Sequence, residues 1–323
     1  QRTQSYVDVR ANRPTYPEWA ASLGPGWQQA RMDNFMTLVS GGFADEDLVN
    51  DGWTEIIRNL GSMVNFKGMG RLSPAEIAQK MELADFQKME QIRARAEALV
   101  DDPDTAESLK PYYRQFCKRP CFNDEYLPSF NLPGVHLIDT EAVSYTHLRG
   151  QEFELDCVIF ATGFEVGTDY TRRSGYDLIG RNGQSLNDKW AEGIATLHGM
   201  QTSGFPNCFI ISQAQSGFTV SFPHAMNEQA KHIAYIVQQV TQSNARVVEV
   251  TEEAEQEWVQ EIIKMSRLSE SFQAECTPGY YNNEGKPNPK SVQNGSYGAG
   301  PVKFFKVIEA WREEGTLAGL ELR

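Results

Sequence analysis

The nine residues Asp156–Phe164, reading Asp-Cys-Val-Ile-Phe-Ala-Thr-Gly-Phe, constrain this chain more than any other stretch. The apolar run Cys157–Phe160 suits a strand covered on both faces, as in a parallel sheet with helices packed above and below. Thr162 and Gly163 then stop it. Glycine accepts positive φ and has no Cβ, so backbone or ligand can come close. In open α/β sheets, ligands gather beyond the carboxyl ends of strands. A strand closing on Ala-Thr-Gly is therefore a fitting place for a dinucleotide, although the same residues also make an ordinary strand and turn.

Around this stretch the pattern is mixed. Pro14 and Pro17 mark 9–23 as an irregular connection, and 25–115 reads as helical. Ser73-Pro74-Ala75-Glu76 has the form of a capping box with proline at the first helical position. Ile77, Met81, Met89, Ile92, Ala96 and Leu99 follow at helical spacing, and Asp101-Asp102-Pro103 ends that helix before a short one reaching Leu109. This block carries no nameable chemistry and reads as a packing and lid unit.

Beyond Pro111 the spacing predicts strands at Val135–Asp139, Glu141–His147, Glu152–Phe160, Asn207–Ser212 and Arg246–Val250. It predicts helices from about Pro223, over Glu252–Met265 and over Pro301–Glu314, then a closing strand. Met226, Ala230, Ile233, Val237 and Val240 should share the buried face of the first helix, and Phe305, Ile308 and Trp311 one side of the last. Residues 277–301, rich in Asn, Gly and Pro, read as a long loop. The fold class is α/β.

Composition excludes several functions. The 323 residues carry a net charge of −13, which disfavours nucleic acid and anionic membranes as partners. No apolar run reaches the length of a membrane span. The five cysteines are scattered and the five histidines lack metal-ligand spacing, so no metal site is expected and a reduced, cytoplasmic setting is favoured. The opening Gln1–Val9 reads like the end of a strand, which marks the chain as the C-terminal part of a longer one.

Four stretches in order resemble one family. A strand closing on Ala-Thr-Gly-Phe is typical of flavoprotein monooxygenases with two dinucleotide-binding domains. Gln1-Arg2-Thr3, Lys118-Arg119-Pro120 and Gly204-Phe-Pro-Asn-Cys-Phe-Ile-Ile211 resemble motifs of the Baeyer–Villiger monooxygenases among them, and Thr277–Pro287 resembles their macrocyclic-ketone and steroid branch. The resemblance implies the end of a first NADP-domain segment at 1–8, a helical insertion at 9–115, a second NADP-domain segment at 116–160 and a C-terminal FAD-domain segment at 161–323. It implies FAD and NADPH as cofactors, and O2 and a bulky or cyclic ketone as substrates, with an ester or lactone as product. The family's two Gly-x-Gly-x-x-Gly turns are absent; Gly68–Ser73 imitates half of one, but no buried strand precedes it and Ser73-Pro74 serves better as a helix cap. The missing N-terminal FAD/NADP portion of the same chain is thus an expected partner.

The resemblance also distributes roles. Arg119 is the candidate catalytic cation, because oxygen insertion develops negative charge that needs a permanent guanidinium in a dry site. Lys118, Arg2 and Thr3 should meet the 2′-phosphate of NADPH. Thr162 and Gly163 should lie against a dinucleotide. Phe222 should offer its backbone N–H to the flavin at a helix start, and Phe218, Thr219 and Val220 should line the substrate space. Asn282 and Lys286 fall in a loop that resembles the family's mobile element over NADP; the Trp common before that Asn is absent here. Trp190, in Leu-Asn-Asp-Lys-Trp, reads as structural. Two alternatives stay open: an N- or S-oxygenating flavin monooxygenase, against which Lys118-Arg119-Pro120 argues, and a truncated chain inactive alone.

Overall fold

The computed structural model describes residues 4–5, 14–40, 42–55, 73–138, 154–161, 170–276, 278–279, 282, 285–286 and 290–323. The chain forms two compact units. Unit 1 comprises Gln1–Leu23, Phe66–Val166 and Gly279–Tyr281; unit 2 comprises Gly24–Asn65, Gly167–Pro278 and Asn282–Arg323. The helical stretch 25–115 is thereby divided between them.

In unit 1, β1 (Gln4–Ser5) pairs in parallel with β2 (Pro120–Cys121), with Gln4 opposite Pro120. After the short helix α1 (Pro17–Ser22), the main helix of this unit is Pro74–Leu99. It starts where expected. The Ser73 hydroxyl accepts from the Glu76 N–H at 3.3 Å, and the Glu76 carboxylate accepts from the Ser73 N–H at 2.8 Å. Both orphan donors are thus satisfied by one reciprocal cap. Asp102 caps the next helix, Pro103–Leu109, by accepting from the Thr105 N–H at 2.8 Å. Ala96, Val100, Ala106, Leu109 and Leu127 form the core between these helices and the turn after them.

The face of Pro74–Leu99 is only partly the expected one. Met89, Ile92 and Ala96 are buried, but so are Asp85 and Lys88, while Met81 is 43 % exposed. A carboxylate and an ammonium therefore interrupt the apolar stripe.

In unit 2, α2 (Trp27–Val39) comes first and α3 and α4 are the unit 1 helices Pro74–Leu99 and Pro103–Leu109. Then follow α5 (Tyr170–Ser174), α6 (Leu186–Lys189), α7 (Phe222–Gln242), α8 (Glu252–Glu275) and α9 (Pro301–Glu314). Strand β3 (Val248–Val250) pairs antiparallel with β4 (Leu320–Leu322). The core gathers Leu197, Met200, Val250, Trp258, Ile262, Tyr297, Phe304 and Ile308. Trp258 stacks on Tyr297 with ring centroids 5.6 Å apart, and its indole N–H donates to the Gln215 carbonyl at 3.0 Å.

Three expectations are corrected. Helix α8 runs ten residues past its expected end at Met265, to Glu275. The buried face of α7 is His224, Ala225, Gln229, His232 and Ile236, whereas Met226 and Val237 are exposed. Polar side chains can take the inner face because they find partners there. The Gln229 carboxamide, for instance, donates to the Ser212 carbonyl at 2.9 Å and accepts from the Ser212 N–H at 3.2 Å. Finally, 135–138, 154–160 and 207–212 form no strand among the described residues; 139–150, including the expected strand Glu141–His147, lie outside them. A strand is defined by its ladder, and among the described residues none of the three joins one; 207–212 makes single backbone bonds, from the Asn207 N–H to the Val248 carbonyl and from the Ile210 N–H to the Met200 carbonyl. Ile159 and Phe160, expected to be covered on both faces, are 85 % and 71 % exposed.

Candidate functional site

The basic loop of unit 1 is built on α3. The buried Asp85 carboxylate accepts from Arg114 Nε at 2.8 Å through one oxygen and from the Gln115 N–H at 2.7 Å through the other. The Cys117 N–H then donates to the Arg114 carbonyl at 3.1 Å, closing a turn in which Phe116 has φ +65°. That left-handed conformation is unfavourable for an aromatic side chain and persists only where neighbours impose it. Lys118 is buried and Arg119 is exposed. The next two residues are β2. Lys118 and Arg119 thus sit between a carboxylate clamp on one side and a parallel ladder on the other.

The Arg119 guanidinium is felt at Cys121: burial pushes that thiol's pKa up, and the positive charge of Arg119 opposes the rise. An ideal Cβ placed on Gly279 would fall 2.5 Å from Lys118 Nζ. The loop backbone therefore runs against the buried ammonium at a residue without a side chain. Further along, in unit 2, Asn282 donates to the Cys276 carbonyl at 3.0 Å and accepts from the Gly285 N–H at 3.1 Å. Lys286 is exposed. Arg2, Thr3, Thr162 and Gly163 lie outside the described residues.

The second candidate surface is the turn into α7, held from three directions in unit 2. Gln215 is fully buried at φ +56° and its side chain spans Thr196, Ile194 and Gln293. Gly217 passes so close to Phe304 that a Cβ would lie 2.9 Å from its ring. The Thr219 hydroxyl donates to Met36 Sδ at 2.9 Å and accepts from the Ser221 N–H at 3.1 Å; the Ser221 hydroxyl reaches Met32 Sδ at 3.4 Å. Helix α2 therefore supports this turn directly, which no pattern in its own sequence announced. With Thr219 turned inward, Phe218, Val220 and Phe222 stand outward, each about two-fifths exposed. Because the Ser221 hydroxyl bonds a methionine, no side chain caps the start of α7. Pro223 has no N–H, and the N–H groups of His224 and Ala225 donate to the Ser221 carbonyl at 3.1 and 3.2 Å, which leaves the Phe222 N–H to meet an electron-rich partner. Burial lowers the pKa of His224, just inside this helix start, against the opposing charges of Glu228 and Asp33.

A third group of contacts fixes Gly204–Ile211. Glu255, 1 % exposed, accepts from Lys189 Nζ, Thr202 Oγ1, and both the N–H and hydroxyl of Ser203, all at 2.7–2.8 Å. Asn207, at φ +57°, donates its N–H to the Val248 carbonyl and accepts from the Val248 N–H, both at 2.9 Å. The Trp190 indole donates to the Ala195 carbonyl at 3.1 Å. Among the described residues no group of three or more His, Cys, Asp or Glu could hold a metal, and no helix is long and apolar enough to cross a membrane.

Comparison with known proteins gives these loops a context. No protein-family model matches the sequence. Neopentalenolactone D synthase of Streptomyces avermitilis is 50 % identical over all of this chain, which covers 56 % of that protein. A Baeyer–Villiger monooxygenase of Stachybotrys chlorohalonatus is 43 % identical over all of it, with 53 % of that protein covered. Among solved structures, the polycyclic ketone monooxygenase of Thermothelomyces thermophila superposes over the whole chain with a TM-score of 0.84 at 34 % identity, and 55 % of it is covered. The fold is thus α/β, that of part of a flavoprotein with two dinucleotide-binding domains. Over its whole length the chain is thus similar to proteins named as Baeyer–Villiger monooxygenases, and it spans about half the length of the curated relatives it matches.

Proposed function

We propose that this chain is the C-terminal part of an FAD- and NADPH-dependent Baeyer–Villiger monooxygenase. That enzyme inserts one oxygen atom of O2 beside the carbonyl of a bulky or cyclic ketone, giving an ester or lactone. The observation that carries the proposal is 50 % identity, over all of this chain and 56 % of the relative, to neopentalenolactone D synthase, with Lys118-Arg119-Pro120 held in a clamped loop. A polycyclic ketone monooxygenase among the similar structures supports a large substrate.

FAD, when bound, supplies the activation of O2 with electrons taken from NADPH. The residues of this chain do the rest. Arg119 holds a permanent positive charge where the attacking oxygen and the adduct oxygen become negative. It is exposed in this chain, so the cover that dries its surroundings comes from other parts of the longer protein. Lys118, with Arg2 and Thr3, binds the 2′-phosphate of NADPH. The register of Gln4 opposite Pro120 supports this grouping, since Arg2-Thr3 and Lys118-Arg119 immediately precede those paired strands in the chain. The uncapped start of α7 suits the electron-rich edge of the flavin at the Phe222 N–H. Thr162 and Gly163 line the dinucleotide. Phe218 and Val220 face the ketone, while Thr219 holds their turn against Met36. Asn282 and Lys286 belong to the loop that closes over NADPH. A cytoplasmic setting is part of the same proposal.

The test is Arg119→Ala in the longer protein. Flavin reduction by NADPH should stay within about twofold, and lactone formation should fall at least about 100-fold, the loss typical of removing one charge-stabilising donor. Lactone formation near the wild-type rate would remove Arg119 from the chemistry.

A further inference from the structure

We propose that Asp85, on the helical insertion, is a positioning residue for Arg119; the proposal rests on the oxygenase reading above and deepens it. Three observations carry it. Asp85 is a carboxylate buried to 5 % exposure on a helix face that also buries Met89, Ile92 and Lys88, a place such a group occupies only when paired. Both of its oxygens are spent on the start of the basic loop, one on the Arg114 side chain and one on the Gln115 backbone. The loop then passes through Phe116 at φ +65°, a conformation that needs an outside constraint. Asp85 supplies that constraint from one end and the pairing of Pro120 and Cys121 with β1 supplies it from the other.

Four residues, Phe116–Arg119, therefore span these two fixed points, with the disulfide-bonded Cys117 as a further tether between them, and the path of the backbone at Arg119 depends on all three. Asp85 touches neither cofactor nor ketone in this account; it acts through the loop. The helix that carries it, which otherwise looks like packing alone, becomes the base on which the reactive cation is set. Misplacing a catalytic group by about 1 Å costs about 100-fold in rate, so loss of the clamp should register in the oxygen-transfer step rather than in cofactor reduction.

The experiment uses the longer protein, with FAD and NADPH and a cyclic ketone. Asp85→Asn keeps the shape of the side chain and removes its charge. Its flavin reduction by NADPH should stay within about twofold of wild type, while lactone formation falls about 10- to 100-fold and hydrogen peroxide rises to match the NADPH consumed. The decisive readout is the double variant: Asp85→Asn combined with Arg119→Ala should be no slower than Arg119→Ala alone, because a positioning residue has nothing left to position. Multiplicative losses in the double variant, or lactone formation by Asp85→Asn at the wild-type rate, overturn the proposal. Should Asp85→Asn fail to fold, Arg114→Lys keeps a charge beside Asp85 but removes the Nε–H. It should show the same shift from lactone to peroxide in weaker form; an unchanged ratio overturns the proposal. If the wild-type protein makes no lactone at all, the oxygenase reading fails instead.

Discussion

His198 Nδ1 lies 3.2 Å from His232 Nε2, and the two imidazoles share one hydrogen bond inside a box of aromatic rings. Trp258 meets His198 edge-on at 4.9 Å, Trp311 contacts both rings, and both histidines are almost fully buried. His198 has φ +54°, so the backbone is bent to bring its ring there. His232 Nδ1 is buried with no hydrogen-bond partner among the described residues.

A pH dependence of stability follows. Burial lowers the pKa of His198 to about 4; burial, then His198 and Arg312, lower that of His232 to about 3. Both values lie below the ordinary 6.5, so the unfolded chain binds more protons wherever pH is below that value. The stability these rings contribute is complete above about pH 6.5 and drains away as pH falls toward their folded values. Each ring costs at most about 1.4 kcal/mol per pH unit in that window. Urea midpoints at pH 7.5, 6.0 and 5.0 should fall steadily, and His232→Phe should flatten the trend. An unchanged slope in that variant would show that the pair does not set the acid sensitivity.

Lys189 and Glu255 make a sharper test of the ground beneath Gly204. With Glu255 buried and four donors on it, removing Lys189 leaves a buried carboxylate without its counter-charge. Lys189→Met should cost about 3 kcal/mol, read as a lower denaturation midpoint. Lys189→Met with Glu255→Gln should recover part of the loss, since the charge that needed the ammonium is gone. If the double variant is as unstable as the sum of the two single ones, the ion pair does not account for the loss.

Much of this was legible in the sequence, for reasons that differ by residue. The Ser73–Glu76 cap, the Asp102 cap and the helix Pro301–Glu314 were readable because capping and helical spacing are local. The strands expected at Glu152–Phe160 and Asn207–Ser212 do not form among the described residues, because a strand needs a partner that local spacing cannot supply. The inner face of α7 was misread because hydropathy puts Met226 and Val237 inside, whereas hydrogen-bond partners brought Gln229 and His232 there instead. Asp85 left one usable signal: a carboxylate between Met81 and Met89 on the stripe expected to be apolar. The support that Met32 and Met36 give to Thr219 and Ser221 left none, since it joins residues more than 180 positions apart.

That support predicts a coupling between helix α2 and the turn into α7. Met36 is 2 % exposed, so Met36→Ala should create a cavity and cost about 2–4 kcal/mol. It also frees the Thr219 hydroxyl. In the longer protein the Michaelis constant for the ketone should rise several-fold with little change in flavin reduction. A stability loss with an unchanged Michaelis constant would confine Met36 to packing.

The apolar run at 154–160 predicts a surface property of the chain taken alone. Leu155, Val158, Ile159 and Phe160 are each more than half exposed, and an uncovered apolar segment of this kind invites self-association. Ile159→Lys should reduce light scattering of the isolated chain at high concentration without lowering its denaturation midpoint. In the longer protein, where the sequence pattern expects this strand to be covered, the same change should destabilise. Equal behaviour in both settings would argue that the run stays bare.

Gln115 offers a test with the opposite sign. Asp85 holds its backbone N–H, but both ends of its carboxamide are buried without a hydrogen-bond partner among the described residues. Each such group forfeits about 1–3 kcal/mol of hydration on burial. Methionine has nearly the same length and volume and no polar atom to desolvate, and its flexible thioether fits irregular space. Gln115→Met should therefore leave the isolated chain as stable or raise its midpoint by the equivalent of about 1 kcal/mol. The longer protein provides the contrast. If the carboxamide is retained because a bound dinucleotide or a neighbouring segment completes its bonds there, the same substitution will weaken NADPH binding or lower the midpoint. A gain in both settings would mean that Gln115 is tolerated strain beside the Asp85 clamp and serves no ligand.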